Sequence, residues 1–321
     1  MDKNKPVLIT VVGPTATGKT SFAARLARET DGEIISADSR QVYRRMDIGT
    51  GKDKDDYLVK GSRIPSHLID IAEPGYKYSV YEFRRDFLKA YHDIVSRGRQ
   101  PVLCGGTGMY IEAAVKGYML IEVPHDTELR KELETKSMKE LESMLARYRH
   151  PHNVSDTSSR KRLVRAVEIA VYQSKYGKLR ENDDHPRFEN LLIGLTADRD
   201  ERRRRITERL KKRIASGLIG EVRSLLDEGV KAEDLKYYGL EYRYVTMYIL
   251  GELDYGEMFA KLNTEIHRFA KRQMTWFRRM ERQGFNIHWL DAGMPEDLKT
   301  EKAMQLYKKA GRAGNSRFRK R

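Results

Sequence analysis

Gly13-Pro14-Thr15-Ala16-Thr17-Gly18-Lys19-Thr20 fits the pattern G-x-x-x-x-G-K-[ST] at every position. Its flanks turn the pattern into an argument. Ahead of it, Lys5–Val12 is a short apolar, β-branched run that reads as a buried parallel strand. Behind it, Thr20–Glu29 reads as a helix with Phe22, Ala23, Leu26 and Ala27 on one face. A glycine-bracketed turn between strand and helix points backbone N–H groups inward at the positive end of the helix, where phosphate oxygens bind. Gly13, Pro14, Thr15, Ala16, Thr17 and Gly18 are therefore expected to cradle a di- or triphosphate. Lys19 supplies a mobile cation for the terminal phosphate, and the Thr20 hydroxyl is placed to ligate Mg2+. The loop by itself does not say whether the ligand is a nucleotide.

Outward from this loop, strand and helix keep alternating. Glu33–Ala37 and His67–Ile71 read as strands, Ser79–Arg97 as a helix, Pro101–Cys104 as a strand and Met109–Val115 as a helix. The alternation predicts a parallel α/β sheet flanked by helices, with ligands at the carboxyl ends of its strands. Residues 1–121 form the first part of this core. Residues 122–185 are charged and helical with no β-like run up to Tyr148, which predicts an inserted helical region. Residues 186–295 complete the core: Asn190–Thr196 returns to strand character, Arg199–Asp227 is one long helix or two, and Asn286–Leu290 is a last short strand. Residues 296–321 are a basic tail, expected to be disordered from about Arg312.

Two further motifs sit at strand ends. Asp38 closes the second strand in Asp38-Ser39-Arg40-Gln41, where a carboxylate can serve as a base, a metal ligand or an N-cap. Gly105-Gly106-Thr107-Gly108 closes the fourth, and Thr107 there either faces the ligand or caps the next helix. A nucleotide kinase would carry an apolar strand ending in Asp to hold Mg2+ during phosphoryl transfer. Pro101–Cys104 ends in Gly-Gly-Thr instead, which weakens the kinase reading.

The net charge is +15, from 62 basic and 47 acidic residues, and the surplus is clustered. Arg199–Arg213 holds nine basic and three acidic residues, and Lys302–Arg321 holds eight basic and no acidic ones. Such clusters point to a polyanionic partner, a solvated surface being the alternative. Around Arg268–Arg282, positions 268, 271, 272, 275, 279 and 282 share one helix face, with Phe269, Trp276, Phe277 and Met280 on the other. That predicts an apolar face in the core and a basic face toward a polyanionic partner, a solvated face being the alternative. The single cysteine, Cys104, rules out a disulfide framework and a thiolate metal site. No stretch approaches the roughly 20 apolar residues of a membrane helix, and the first residues lack the apolar core of a signal peptide. A cytoplasmic protein is expected.

Gly13–Thr20, Asp38–Thr50, Gly105–Tyr110, Lys161-Arg162-Leu163-Val164-Arg165-Ala166-Val167-Glu168 and Ala270-Lys271-Arg272-Gln273-Met274-Thr275-Trp276-Phe277 together resemble the tRNA dimethylallyltransferases. The similarity runs in order over residues 7 to 290, and the aspartate motif and the Ala-Lys-Arg-Gln string are far more specific than the phosphate loop. The resemblance implies a P-loop NTPase-like sheet with an inserted helical tRNA-binding subdomain. It implies that the loop holds the diphosphate of dimethylallyl diphosphate. The N6 amine of the adenosine beside the anticodon would attack C1, releasing pyrophosphate. By the same resemblance Asp38 accepts the amine proton, Thr107 lies near base and diphosphate, and Arg205 steadies the charge building on pyrophosphate. Asp38, Ser39, Arg40, Gln41, Arg130, Lys161, Arg162, Leu163, Val164 and Arg165 match the tRNA side, the partner being the anticodon stem-loop of tRNA. A monomer that uses Mg2+ is expected. Isopentenyl transfer to a free adenine nucleotide, a small-molecule kinase and an RNA-binding protein without turnover are the competing readings.

The chain also departs from the family pattern. It reads Gly239-Leu240-Glu241-Tyr242-Arg243 where Gly-Tyr-Lys-Glu is usual, with a longer spacing to Gly251. Ile266-His267-Arg268 stands where Thr-Arg is frequent, and Ser66 where His is common, although His67 is kept. The phosphate loop and Asp38 are spared.

Overall fold

Val7–Val12 (β1) is aliphatic but for β-branched Thr10, whose hydroxyl donates to Asn190 Oδ1 at 2.9 Å, so it suits a strand covered on both sides, and all six residues are buried. The computed structural model of the protein describes residues 7–117, 123–124, 126–148, 159–176 and 188–317. After β1 come helix α1 (Lys19–Glu29), strand β2 (Gly32–Ser36) and a small antiparallel hairpin, β3 (Leu58–Val59) with β4 (Ser62–Arg63). Strand β5 (Ser66–His67), helix α2 (Val80–Ser96), strand β6 (Gln100–Gly105) and helix α3 (Gly108–Lys116) follow. Helices α4 (Thr127–Thr135), α5 (Met138–Tyr148) and α6 (Arg160–Tyr176) come next, then strand β7 (Glu189–Thr196). The chain ends through α7 (Arg199–Ala215), α8 (Leu218–Asp227), α9 (Ala232–Tyr237), α10 (Leu240–Ile249), α11 (Tyr255–Arg282), strand β8 (Ile287–Asp291) and α12 (Glu296–Arg317).

The strands form one parallel sheet in the order β5-β2-β6-β1-β7-β8. Strand β1 is central, pairing Val12 with Gly105 of β6 on one side and with Gly194 of β7 on the other. This register brings the carboxyl ends of β2, β6, β1 and β7 to one edge, where a ligand crevice opens in such sheets. One face of the sheet is covered by α1 and α12, through Phe22, Ala23, Leu26 and Ala303. The other is covered by α2, α3 and α11, through Phe83, Phe87, Ile111, Phe277 and Met280. A separate helical core of α7 to α11, with Leu210, Val222, Tyr238, Tyr242 and Leu262, borders the crevice.

The chain divides into two compact units, one of residues 1–118 with 186–321 and the other of residues 119–185. The second unit has its own core of Leu133, Leu141, Leu145, Leu163, Ala166, Val167 and Ala170. Beneath it lies a carboxylate, Glu168, only 2% exposed. It accepts from Arg130 Nε at 2.9 Å, from Arg130 Nη2 at 3.0 Å, from Arg165 and from the Asp126 amide at 3.0 Å. Burial by itself would raise its pKa; the Arg130 and Arg165 hydrogen bonds reverse that and hold it below the usual carboxylate range.

One expectation is corrected. The strand expected over His67–Ile71 stops at His67, because Leu68 and Asp70 take left-handed backbone (φ 62° and 56°) that no strand can contain. Of the two readings of Arg199–Asp227, one long helix or two, the structure has two, broken at Ser216-Gly217 where Gly217 has φ 102°. Helix α12, anchored by buried Ala303, is described to Arg317. Residues 318–321 lie outside the described residues, as does the expected strand character of Lys5 and Pro6. No helix among the described residues is long and apolar enough to cross a membrane.

Candidate active site

A cavity of about 550 Å3 opens at the carboxyl edge of the sheet, a size suited to a small ligand. Strand β1 ends on Gly13, whose φ of 151° needs glycine and whose Cβ would stand 2.4 Å from the Leu195 carbonyl. The loop then wraps on itself: Thr17 Oγ1 donates to the Pro14 carbonyl at 2.9 Å, and Ala16 takes left-handed backbone at φ 63°. Lys19 Nζ donates to the same Pro14 carbonyl at 2.7 Å. Burial lowers the Lys19 pKa to about 8, because its surroundings solvate the cation less well than water does. Next to it Cys104, at the end of β6, points its thiol at the Lys19 carbonyl at 3.6 Å, and burial pushes that thiol up to about 12. The thiol is therefore neutral and packs rather than reacts.

Asp38 and Thr107 follow the ends of the adjacent strands β2 and β6, and both line the cavity with Thr15, Lys19 and Thr20. Asp38 Oδ1 accepts the Arg40 amide at 2.9 Å, an Asx turn that orients the carboxylate. Thr107 precedes α3 without capping it, and its Oγ1 accepts the Ser39 amide at 3.1 Å. One hydroxyl thus ties the two strand-end loops together. Ser39 and Arg40 also line the cavity, Arg40 lying 5.5 Å from the Tyr237 ring centroid. Gln41 reaches the cavity wall, but its amide is engaged internally with Ser36 Oγ at 3.0 Å and the Gly51 carbonyl at 3.1 Å.

Helix α11 supplies the wall that sequence reasoning missed. Gln273, 8% exposed, accepts the Thr15 amide through Oε1 and donates from Nε2 to the Gly106 carbonyl. Phe269, Arg272 and Trp276 line the cavity beside it. Phe269 was expected on the core face, yet it is exposed, and Arg272 lies 5.9 Å from its ring centroid. Positions 269, 272, 273 and 276 share a third stripe between the core and basic faces, at i, i+3, i+4 and i+7 spacing. Trp276 packs on Gly108, where a Cβ would stand 2.2 Å from its ring. Of the six positions assigned to the basic face, Arg279 turns inward onto the buried Glu112 and stacks on Trp276 at 4.1 Å; the other five are exposed.

Arg205, expected to steady the charge on pyrophosphate, lies apart from the cavity. Its Nε is held by Glu201 at 2.6 Å, and it does not line the cavity. Arg209, one helical turn further on, does: it reaches Thr15 Oγ1 at 3.3 Å and Asp53 at 3.0 Å. Arg213 lies a further turn on. Arg205, Arg209 and Arg213 share one helix stripe at i, i+4 and i+8, and only the latter two lie far enough along α7 to line the cavity. Six cationic side chains and two acidic ones line the cavity, so it favours an anion.

In the second unit Arg130 and Arg165 are bound to Glu168, and Lys161 and Arg162 are exposed on α6, with Val164 half-buried. Leu163 is corrected as a tRNA contact. It is completely buried, as an apolar residue in register with Ala166, Val167 and Ala170 must be on an amphipathic helix.

A family model described as IPP transferase matches residues 41–280, and one described as isopentenyl transferase matches residues 6–70. The chain is 54% identical over 93% of its length to tRNA dimethylallyltransferase 2 of Phocaeicola vulgatus, covering 97% of that protein. It is 55% identical to tRNA dimethylallyltransferase 2 of Porphyromonas gingivalis, over 94% of this chain and 99% of that one. The crystal structure of the full-length tRNA isopentenylpyrophosphate transferase of Bacillus halodurans superposes with a TM-score of 0.71 at 31% identity, covering 97% and 99% of the two chains. With a phosphate loop, a strand-end aspartate and a strand-end threonine around one cationic cavity, the chain belongs to the IPP transferase family.

Proposed function

We propose that the protein transfers a dimethylallyl group from dimethylallyl diphosphate to the N6 amine of the adenosine beside the anticodon of tRNA. The observation that carries this reading is the placing of Asp38 and Thr107 at adjacent strand ends opposite the phosphate loop, in one cavity. The adenine amine is a weak nucleophile because its lone pair is delocalised into the ring. It needs a fixed proton acceptor and an aligned carbon, and a substrate held between loop and aspartate meets both demands. The N6–C1 bond forms as the C1–O bond breaks. Pyrophosphate leaves with the bonding electrons, and the N6 proton passes to Asp38. Lys19 and Arg209 face the charge that builds on the departing diphosphate.

Mg2+ fits this site through few protein ligands. The Thr20 hydroxyl lines the cavity, and among the described residues no group of three or more His, Cys, Asp or Glu side chains could hold a metal alone. That suits an ion bound largely through phosphate oxygens and water. When bound, it would neutralise diphosphate charge. On the RNA side, the reading uses Ser39, Arg40 and the exposed Arg268, Lys271, Arg272 and Arg282, with Lys161 and Arg162 on the second unit. The target base must leave its stack to reach Asp38. The same reading has the protein acting as a monomer in the cytoplasm.

The test is to incubate the protein with radiolabelled dimethylallyl diphosphate and either unmodified tRNA or AMP. Label in tRNA, at the adenosine beside the anticodon, is expected. Label in AMP alone would overturn the reading.

A further inference from the structure

Helix α7 presents two arginines to the cavity one turn apart, and they are not equivalent. Arg209 is engaged at both ends, by Thr15 Oγ1 and Asp53. The Arg213 side chain is only 12% exposed, and its Nη1 donates to Glu241 Oε1 at 3.1 Å. Its Nε is buried and has no hydrogen-bond partner among the described residues. Its Nη2 presses on Gly51: a Cβ there would stand 1.7 Å from Arg213 Nη2 and 2.6 Å from Arg209 Nη2. Gly51 also has φ 67°, so glycine is required twice over. Both guanidinium groups therefore converge on one patch of backbone at the cavity wall. Their acids, Asp53 and Glu241, belong to separate segments of the chain.

Like charges that converge in a poorly solvated place repel strongly, and an anion placed between them relieves the repulsion. Burial, then the Arg209 charge, lowers the proton affinity of Arg213. Glu241 is the nearest compensation, from a position where the family pattern usually has lysine. It contacts one nitrogen only and leaves Nε open. The phosphate loop adjoins this fork through Thr15.

We propose that Arg213 is a substrate-positioning residue for the outer phosphate of the prenyl diphosphate and for the departing pyrophosphate, with Glu241 as an internal counter-ion that the phosphate displaces. This rests on the reading that the cradle takes a diphosphate, and it adds a competition within the site. Glu241 weakens ground-state binding of the diphosphate and hastens release of pyrophosphate. A residue that only braced the fold would not behave in this way.

The experiment is calorimetric binding of inorganic pyrophosphate to the full chain, with tRNA affinity measured in parallel, for wild type, Glu241→Gln and the double variant R213M/E241Q. The double variant leaves no buried charge of the pair unmatched, so it retains the fold. Glu241→Gln is expected to bind pyrophosphate several-fold more tightly than wild type and to turn over more slowly at saturating substrate. The double variant is expected to bind roughly ten-fold more weakly than Glu241→Gln, the effect of losing one charge-assisted hydrogen bond. Neither should change tRNA affinity. Pyrophosphate binding indifferent to both variants would overturn the proposal while leaving the cradle reading intact. A fall in tRNA affinity without a change for pyrophosphate would also overturn it and assign the pair to an RNA phosphate. Failure of the wild type to bind pyrophosphate would overturn the cradle reading itself.

Discussion

Gln273 donates from Nε2 to the carbonyl oxygen of Gly106 at 2.9 Å. Its Oε1 accepts the amide of Thr15, also at 2.9 Å, so one buried side chain on α11 fastens the phosphate loop to the loop that carries Thr107. An amide is suited to this because it donates at one end and accepts at the other.

Gln273→Glu removes the donor and sets two oxygens against each other at Gly106 while adding negative charge beside the cradle. The expected cost is about 1–3 kcal/mol of stability, with a KM for dimethylallyl diphosphate raised roughly ten-fold and the KM for tRNA little changed. Thermal unfolding and steady-state kinetics check both. A rise confined to the tRNA KM would contradict this role.

Asp38→Asn keeps the shape of the carboxylate and removes its capacity to take a proton. Turnover should fall about 10²-fold or more, while tRNA binding measured by filter retention stays near wild type. Comparable rates for the two proteins would remove Asp38 as the base.

Lys19 makes the stability of the free protein rise in mild alkali. Its folded pKa of about 8 lies below the ordinary 10.5, so between those values the unfolded chain binds a proton that the folded chain does not. Stability from this group is therefore lowest below about pH 8 and rises as pH climbs toward 10.5. Diphosphate works the other way, drawing the proton back. Pyrophosphate binding near pH 8 to 9 should take up protons, seen by calorimetry in two buffers of different ionisation enthalpy, and should weaken as pH rises. Lys19→Met should abolish the part of the uptake that belongs to this residue; identical uptake in both proteins would refute the assignment.

Glu168→Ala leaves Arg130 and Arg165 without their shared acid beneath the second unit. Breaking a buried pair in this way costs about 3–5 kcal/mol. The expected result is fast amide exchange over α4 and α6, with exchange in β1 and β6 unchanged. Protection retained in α6 would show that Glu168 is not what holds those helices.

The parts legible in the sequence were those whose partners are near in the chain or repeat along it. The strand, loop and helix from Val7 to Glu29 announce themselves because the apolar run, the two glycines and Lys19 are contiguous. Asp38 and Thr107 stand out in the sequence because each follows a strand, and both line the cavity. The role of Gln273 is not legible in the sequence, since Thr15 lies 258 positions away and nothing local marks the contact. Helix phase does not separate Arg205 from Arg209, which share a stripe at i, i+4 spacing; only the placing of α7 along the cavity does, and the sequence does not show that. Phe269 was misplaced because a helix read as two faces hides a third. Leu163 and Arg279 show the converse, positions of the right chemistry whose side chains are used within the fold.

Much of the cavity wall consists of a large side chain resting on a residue with none: Trp276 on Gly108, and Arg213 on Gly51. Volume at such places is shared between two positions far apart in the chain, and neither can grow unless the other shrinks. Mutational drift of the pocket must therefore proceed by compensated pairs. A library meant to admit a longer prenyl chain will recover working proteins by varying 108 with 276, whereas Gly51, held also by its φ of 67°, stays glycine whatever stands at 213.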